Sequence, residues 1–198
     1  MNGIACFIQL FTGVQARWKG CAPEPAQRIY FANHTSHFDF LVLWAVLPTN
    51  LREQTTAAAA ADYWMKGTFR RWLAQKVFKV VLIERENVTR ANNPITQLAA
   101  VIDKGKSLII FPEGGRSQEG DLQEFKGGIY HLAKSRPNVD LIPAHIDNSN
   151  RVLPKGEFFP IPLICSVTFG TPMRLEANER KEEFLRRARL AVKECERL

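Results

Sequence analysis

The run Ile29-Tyr30-Phe31-Ala32 is continuously apolar, breaks at Asn33, and gives way after a polar stretch to Phe38-Asp39-Phe40-Leu41-Val42-Leu43-Trp44. This pattern predicts a buried strand, a short turn, and a helix opening at about Ser36 and running to about Leu47. Residues 54–61 are apolar and alanine-rich and predict a second buried strand, despite alanine's poor β-propensity. Asp62 is placed to cap a helix carrying Tyr63, Trp64, Phe69 and Trp72. Strands are predicted at 79–83 and 107–110, separated by a helix over 91–104 that puts Ile95, Leu98, Ala99 and Ile102 on one face. A helix over 125–134 follows, then strands over 139–146 and 161–169 around a Pro- and Gly-containing loop. The last helix, 178–197, gathers Phe184, Ala188, Ala191, Val192 and Cys195 on one face and leaves Arg186, Arg187 and Arg189 to solvent. Strands alternating with helices predict an α/β fold: a single domain with a largely parallel sheet flanked by helices.

The first residues follow another rhythm. Ile4, Phe7, Ile8, Phe11, Val14 and Trp18 form a helical stripe over 4–18, with Arg17 and Lys19 at its end. A membrane span needs about 20 apolar residues, and this stretch is shorter and interrupted. Its basic residues follow the apolar part, the reverse of a secretory signal. Residues 1–22 therefore read as an amphipathic, interfacial helix or one docked on the domain, with Pro23-Glu24-Pro25 connecting it to a domain spanning 23–198.

Composition narrows this picture only slightly. The 198 residues suffice for one domain with its own core, and 45% hydrophobic with 24% charged residues describes an ordinary globular chain. Cys6, Cys21, Cys165 and Cys195 form no C-x-x-C pair, so free thiols in a reducing compartment are expected. A formal charge of +7 suits nucleic acid, anionic lipid or a phosphorylated substrate without choosing among them. Basic residues mixed with Trp and Tyr between 63 and 79 suit an anionic bilayer surface. A nucleic-acid module would show a concentrated basic stripe, whereas here Lys and Arg are interleaved with acids. Gly105-Lys106-Ser107 is no phosphate loop, because position 100 is Ala where a Walker pattern needs Gly.

Candidate chemistry collects after the strands. On one continuous helix, residues five apart point roughly 140° from each other and could not meet. With a turn intervening, Asp39 can reach one imidazole nitrogen of His34 and leave the other facing a substrate, as in a general base. Ser36-x-x-Asp39 also fits a helix-capping box with Asp in place of Glu. Behind the run 107–110, Phe111-Pro112-Glu113-Gly114-Gly115-Arg116-Ser117 offers Gly114-Gly115, whose N–H groups can surround an anion, and Arg116, whose planar donors match phosphate oxygens. His34, Arg85 and Glu113–Arg116 each follow a predicted strand, and in such sheets sites gather at the strands' carboxyl ends. Two rivals remain: a metal hydrolase using His34, His37 and Asp39, which lacks further ligands, and a non-catalytic binder of anionic membrane or nucleic acid.

Asn33-His34-x-Ser36-x-x-Asp39 and Phe111-Pro112-Glu113-Gly114-x-Arg116-Ser117 together resemble the glycerolipid acyltransferase family. Ile83-Glu84-Arg85, Phe125-Lys126-Gly127-Gly128 and Leu141-Ile142-Pro143-Ala144 resemble its remaining motifs, in order, over about residues 28–170. The family usually has Thr where this chain has Gly115. The resemblance implies an O-acyltransferase that moves a fatty acyl group from acyl-CoA or acyl carrier protein to a glycerol phosphate acceptor. The expected acceptor is 1-acyl-sn-glycerol 3-phosphate, with glycerol 3-phosphate or another lyso-lipid as alternatives. It further implies His34 as base and Asp39 as its partner. Arg85, Glu113, Gly114, Arg116 and Lys126 would form the phosphate and glycerol site, supported by Asn33, Ser36 and Ser117. No cofactor or metal is expected. With an amphiphilic substrate and no visible span, a monotopic or peripheral protein on the cytoplasmic leaflet is expected.

Overall fold

The computed structural model describes residues 2–36, 38–65, 67–72, 78, 80–84, 89, 92–117, 121–148 and 165–197. β2 (Arg28–Ala32) lies between β5 (Ser107–Ile110) and β6 (Asp140–Asp147), parallel to both. β3 (Thr55–Ala60) pairs parallel with β5, and β4 (Val81–Ile83) parallel with β3. On the far side, β7 (Ser166–Phe169) runs antiparallel to β6, and β1 (Gln15–Trp18) runs parallel to β7. Among the described residues the order is β1-β7-β6-β2-β5-β3-β4, a mostly parallel seven-stranded sheet as the alternation predicts.

All five residues of β2 are buried, which explains its continuous apolar run. Successive side chains point to opposite faces. Tyr30 and Ala32 join Ile142 and Ala144 in a cluster with Val42, Leu43 and Trp44 of α2 (Asp39–Val46) and with Ala5 and Ile8 of α1 (Asn2–Thr12). Ile29 and Phe31 join Leu108, Ile110 and Leu141 on the other face. There they meet α6 (Pro94–Asp103), α7 (Gly128–Ser135) and α8 (Lys181–Glu196) through Leu98, Ile129, Leu132, Phe184, Ala188 and Val192. Slipping β2 by one residue would exchange its two faces and set large side chains where small ones pack, at roughly 1–3 kcal/mol for each misfit. The register is thereby fixed, and with it where the chain leaves the sheet.

Several expectations need correction. The stripe over 4–18 is not one helix: α1 stops at Thr12, Gly13 takes φ 58°, and 15–18 become the edge strand β1. A left-handed glycine ends a helix readily because it lacks a Cβ. Trp18 therefore stacks on Phe169 with ring centroids 3.9 Å apart and belongs to the sheet, not to an interfacial helix. The helix expected from Ser36 opens at Asp39, and a short α3 (Thr49–Gln54) follows it. The helix expected from Asp62 divides into α4 (Ala61–Trp64) and α5 (Thr68–Trp72), with Gly67 at φ 90° between them. Its aromatics divide as well. Trp64 packs edge-on to buried Phe78, whereas Trp72 is exposed. α7 begins at Gly128 rather than 125, because Phe125 is drawn into the core against Phe31 and Lys126 N–H donates to Pro112 O. Nor are the α8 arginines all solvated: Arg187 pairs with Glu179, and Arg189 donates to loop carbonyls. Residues 161–164 of the expected last strand lie outside the described residues.

Candidate active site

β2, β5 and β6 are parallel, so their carboxyl ends share one rim. Asn33, the first residue past β2, is buried and extends the pairing with its side chain: Nδ2 donates to Ile146 O at 2.9 Å, and Oδ1 accepts from Ile146 N at 2.7 Å. This fixes the start of the turn that carries His34. His34 Nδ1 lies 2.8 Å from Asp39 Oδ2. The same oxygen accepts from Thr35 N at 2.7 Å and Ser36 N at 2.8 Å, while Ser36 Oγ accepts from Phe38 N at 3.2 Å. Half of the capping box therefore forms, and it serves the histidine. Asp39 is 0% exposed, and its Oδ2 already accepts two backbone N–H groups, a setting in which the Nδ1 proton of His34 points toward it and Nε2 is left as the basic nitrogen. Phe111 stacks on the imidazole at 4.3 Å and 21°, which limits its rotation.

Glu113 lies three residues past β5 and is buried. Its Oε1 accepts from His34 N at 2.6 Å and its Oε2 from Gln123 N at 2.9 Å. Ser117 N adds a bond to His34 O at 2.8 Å. Burial pushes the Glu113 carboxyl above its ordinary value, opposed by those two backbone donors. Both oxygens are thus engaged with loop amides, and Glu113 ties the turn that carries His34 to the β5–α7 loop.

His34 also lines a cavity of about 450 Å³ whose walls include Ala58, Ile83, Leu98, Ile110, Ile129 and Leu132. Gly114, Gly115 and Lys126 line it too. Gly114 takes φ 69°, and a Cβ there would come within 2.8 Å of the Lys126 stem, so glycine both permits the turn and leaves room for the lysine. An oriented imidazole beside an apolar chamber suits proton transfer to or from a substrate with a long apolar part.

A profile of the family described as Acyltransferase matches residues 19–147, more than half of the chain. The chain belongs to the acyltransferase family. Its sequence is 29% identical over 170 residues to a 1-acyl-sn-glycerol-3-phosphate acyltransferase of Limnanthes douglasii, covering 83% of this chain and 56% of that protein. It is 26% identical over 149 residues to the Haemophilus influenzae protein of that name, covering 72% and 57%. The chain thus spans about half the length of the curated relatives it matches. The crystal structure of the 1-acyl-sn-glycerophosphate acyltransferase PlsC from Thermotoga maritima superposes with a TM-score of 0.75 at 19% identity, covering 99% of this chain and 77% of that one, a likeness of fold. The family resemblance read from the motifs is borne out.

Arg85 and His37 lie outside the described residues, so the motif that ends in Arg85 is described only to Glu84. Arg116 is exposed on the loop after Gly115. Among the described residues, no group of three or more His, Cys, Asp or Glu side chains is arranged to hold a metal ion. Burial pushes the thiols of Cys165 and Cys195 up to about 11 and about 12, which makes both poor nucleophiles. Sequence reasoning missed Phe111 as a stacking partner and Gln123 as a donor to Glu113. Phe111 was in the motif, but only the fold brings it over His34; Gln123 contributes a backbone N–H and carries no side-chain signal.

Proposed function

We propose that this acyltransferase moves a fatty acyl group from a thioester, acyl-CoA or acyl carrier protein, to a hydroxyl of 1-acyl-sn-glycerol 3-phosphate, giving phosphatidate. The single observation that carries the reading is the His34–Asp39 pair opening onto the apolar cavity. The names of the relatives support the acceptor. An alcohol is a poor nucleophile near neutral pH, so His34 Nε2 takes its proton as oxygen attacks the thioester carbonyl. Asp39 stabilises the imidazolium so formed. Collapse of the tetrahedral intermediate breaks the C–S bond, and the imidazolium returns the proton to the departing thiolate. Proton and charge balance without a covalent acyl-enzyme, because the acceptor hydroxyl takes the position a serine holds in a triad. The acyl chain suits the apolar cavity.

Arg85, Arg116 and Lys126 are the cations assigned to the acceptor phosphate. Lys126 lines the cavity beside Gly114, which supports its inclusion. Arg116→Ala is expected to raise the acceptor KM with a smaller effect on the donor KM, and Arg116→Lys to restore it only in part, because the planar fork is lost. Unchanged acceptor dependence in both variants would remove Arg116 from the phosphate site. The proposed reaction itself is tested by thiol release from acyl-CoA with lysophosphatidate, glycerol 3-phosphate or no acceptor. Release that requires lysophosphatidate and yields phosphatidate is expected; release with no lipid product would make the protein a thioester hydrolase.

We also propose a monotopic attachment to the cytoplasmic leaflet. Among the described residues no helix is long and apolar enough to cross a membrane. α1 docks Ala5 and Ile8 inward and is tied to α2 by Gln9 Nε2 donating to Ala45 O at 2.7 Å, which leaves Phe7 66% and Leu10 85% exposed on its outer side. Each such side chain entering lipid contributes about 1.5–3 kcal/mol that salt does not screen. Basic side chains near an anionic surface contribute about 1 kcal/mol each, which salt does screen. Vesicle binding is therefore expected to weaken but persist at high salt. Phe7→Ser and Leu10→Ser should each cut the salt-resistant binding by about tenfold or more. Unaltered vesicle sedimentation in the double variant would leave α1 as packing alone.

A further inference from the structure

One side chain of α8 reaches the loop behind the catalytic rim. Arg174 and Arg187 spend their guanidinium groups on Asp140 and Glu179. Arg189 differs: among the described residues it has no carboxylate partner, and its planar fork closes on two backbone carbonyls. Nη2 donates to Leu122 O at 2.7 Å, and Nε is shared between Gln123 O at 3.2 Å and Leu122 O at 3.3 Å.

The peptide unit joining Leu122 to Gln123 is rigid and planar. Its carbonyl oxygen is the atom Arg189 holds, and its N–H is the donor that binds Glu113 Oε2 at 2.9 Å. A plane gripped at its oxygen has a set direction for its N–H. A cation on that oxygen also polarises the amide and strengthens the bond it donates. The other oxygen of Glu113 binds His34 N at 2.6 Å, and Gln123 Nε2 reaches Ser117 Oγ at 3.3 Å, next to the Ser117 N–H that bonds His34 O. α8 is anchored independently of the rim, through Phe184, Ala188 and Val192 in the core. A fixed element therefore leads through one side chain and one peptide plane to the backbone of the catalytic histidine.

We propose that Arg189 is a positioning residue for acyl transfer, acting through the Leu122–Gln123 peptide and Glu113 to hold His34 in register. This rests on the reading of His34 as the base, but the coupling is separable from it. Arg189 touches no substrate in this account, so its loss acts on turnover rather than on acceptor affinity. Misplacing a reacting group by a fraction of an ångström costs on the order of tenfold in rate.

The test compares Arg189→Ala, Arg189→Lys and Glu113→Gln singly, and Arg189→Ala with Glu113→Gln combined. Three quantities are read: kcat and acceptor KM, thermal midpoint, and hydrogen exchange of the Gln123 and His34 amides by NMR. Arg189→Ala should lower kcat by about tenfold with acceptor KM little changed, and both amides should exchange faster. Arg189→Lys should recover part of the loss, since one ammonium can still donate to Leu122 O. The combined variant should be no slower than Glu113→Gln alone, the mark of residues acting in one chain. Unchanged amide exchange, unchanged kcat in the folded variant, or losses that multiply in the double variant would each overturn the proposal. If Arg189→Ala does not fold, the same exchange and rate comparisons on Arg189→Lys decide it. Faster amide exchange in a protein without acyl-transfer activity would instead sustain the coupling and remove the functional reading on which its catalytic meaning depends.

Discussion

Replacing His34 by alanine is expected to lower kcat by roughly 10²–10⁴ while leaving the acceptor KM and the fold nearly intact. The loss falls on kcat because the imidazole acts on the proton that moves in the transition state and has no assigned part in holding the phosphate. The fold should survive because the backbone of residue 34 keeps its bonds: its N–H still donates to Glu113, and its carbonyl still accepts from Ser117 N. What goes is the stack with Phe111, worth about 0.5–1.5 kcal/mol beyond area burial, and one of the three donors that the described residues give Asp39 Oδ2. The other two, Thr35 N and Ser36 N, still satisfy the carboxylate. Steady-state thiol release and a thermal melt check both halves of this statement. His37→Ala should be far milder, and equal losses from the two histidines would favour a metal site over a base.

Asp39→Asn is the second large effect, and its signature differs. Among the described residues, the buried oxygen of Asp39 accepts two hydrogen bonds from backbone amides and one from His34. An asparagine of the same shape can present its carbonyl to these donors but brings no negative charge to stabilise the imidazolium. If its NH₂ turns inward instead, donors face donors. The His34 tautomer is then no longer held, and kcat should fall by about 10³–10⁴, the scale seen when a triad carboxylate is neutralised. This variant should lose more stability than His34→Ala, since a hydrogen bond to a charged group is worth about 1.5–3 kcal/mol and two backbone donors face the altered group. A kcat within about tenfold of the parent would mean that Asp39 is a structural cap only, with the turn at 33–36 as its sole purpose.

Much of this arrangement is legible in the sequence because burial on both faces writes itself as unbroken apolar runs. Ile29–Ala32, Ser107–Ile110 and Leu141–Ala144 are all central strands, and the polar residues that end the first two runs supply His34 and Glu113. The spacing of Phe184, Ala188 and Val192 likewise marks the buried face of α8. What escaped depends on distant partners. Gln15-Ala16-Arg17-Trp18 carries no strand signal of its own and becomes β1 only because β7, near the other end of the chain, offers it an edge. The segment after Asp62 has continuous aromatic character, yet Gly67 divides it and Phe78 draws Trp64 inward. Side-chain chemistry alone marks Arg189 as a solvated charge and gives no sign of the loop amides that Glu113 binds. Both side chains bind backbone groups, which leave no trace in residue identity.

The central claim is direct transfer from thioester to acceptor hydroxyl, with His34 as base and no acyl-enzyme between. A single-turnover experiment tests it most directly: enzyme in excess over acyl-labelled donor, lysophosphatidate added or withheld, and the label in protein and lipid followed after acid quench. The account predicts that label passes into phosphatidate only when acceptor is present, that none becomes covalently bound to protein at any time, and that the transfer slows in His34→Ala. Protein-bound label that forms without acceptor and chases into lipid when acceptor is added would contradict it.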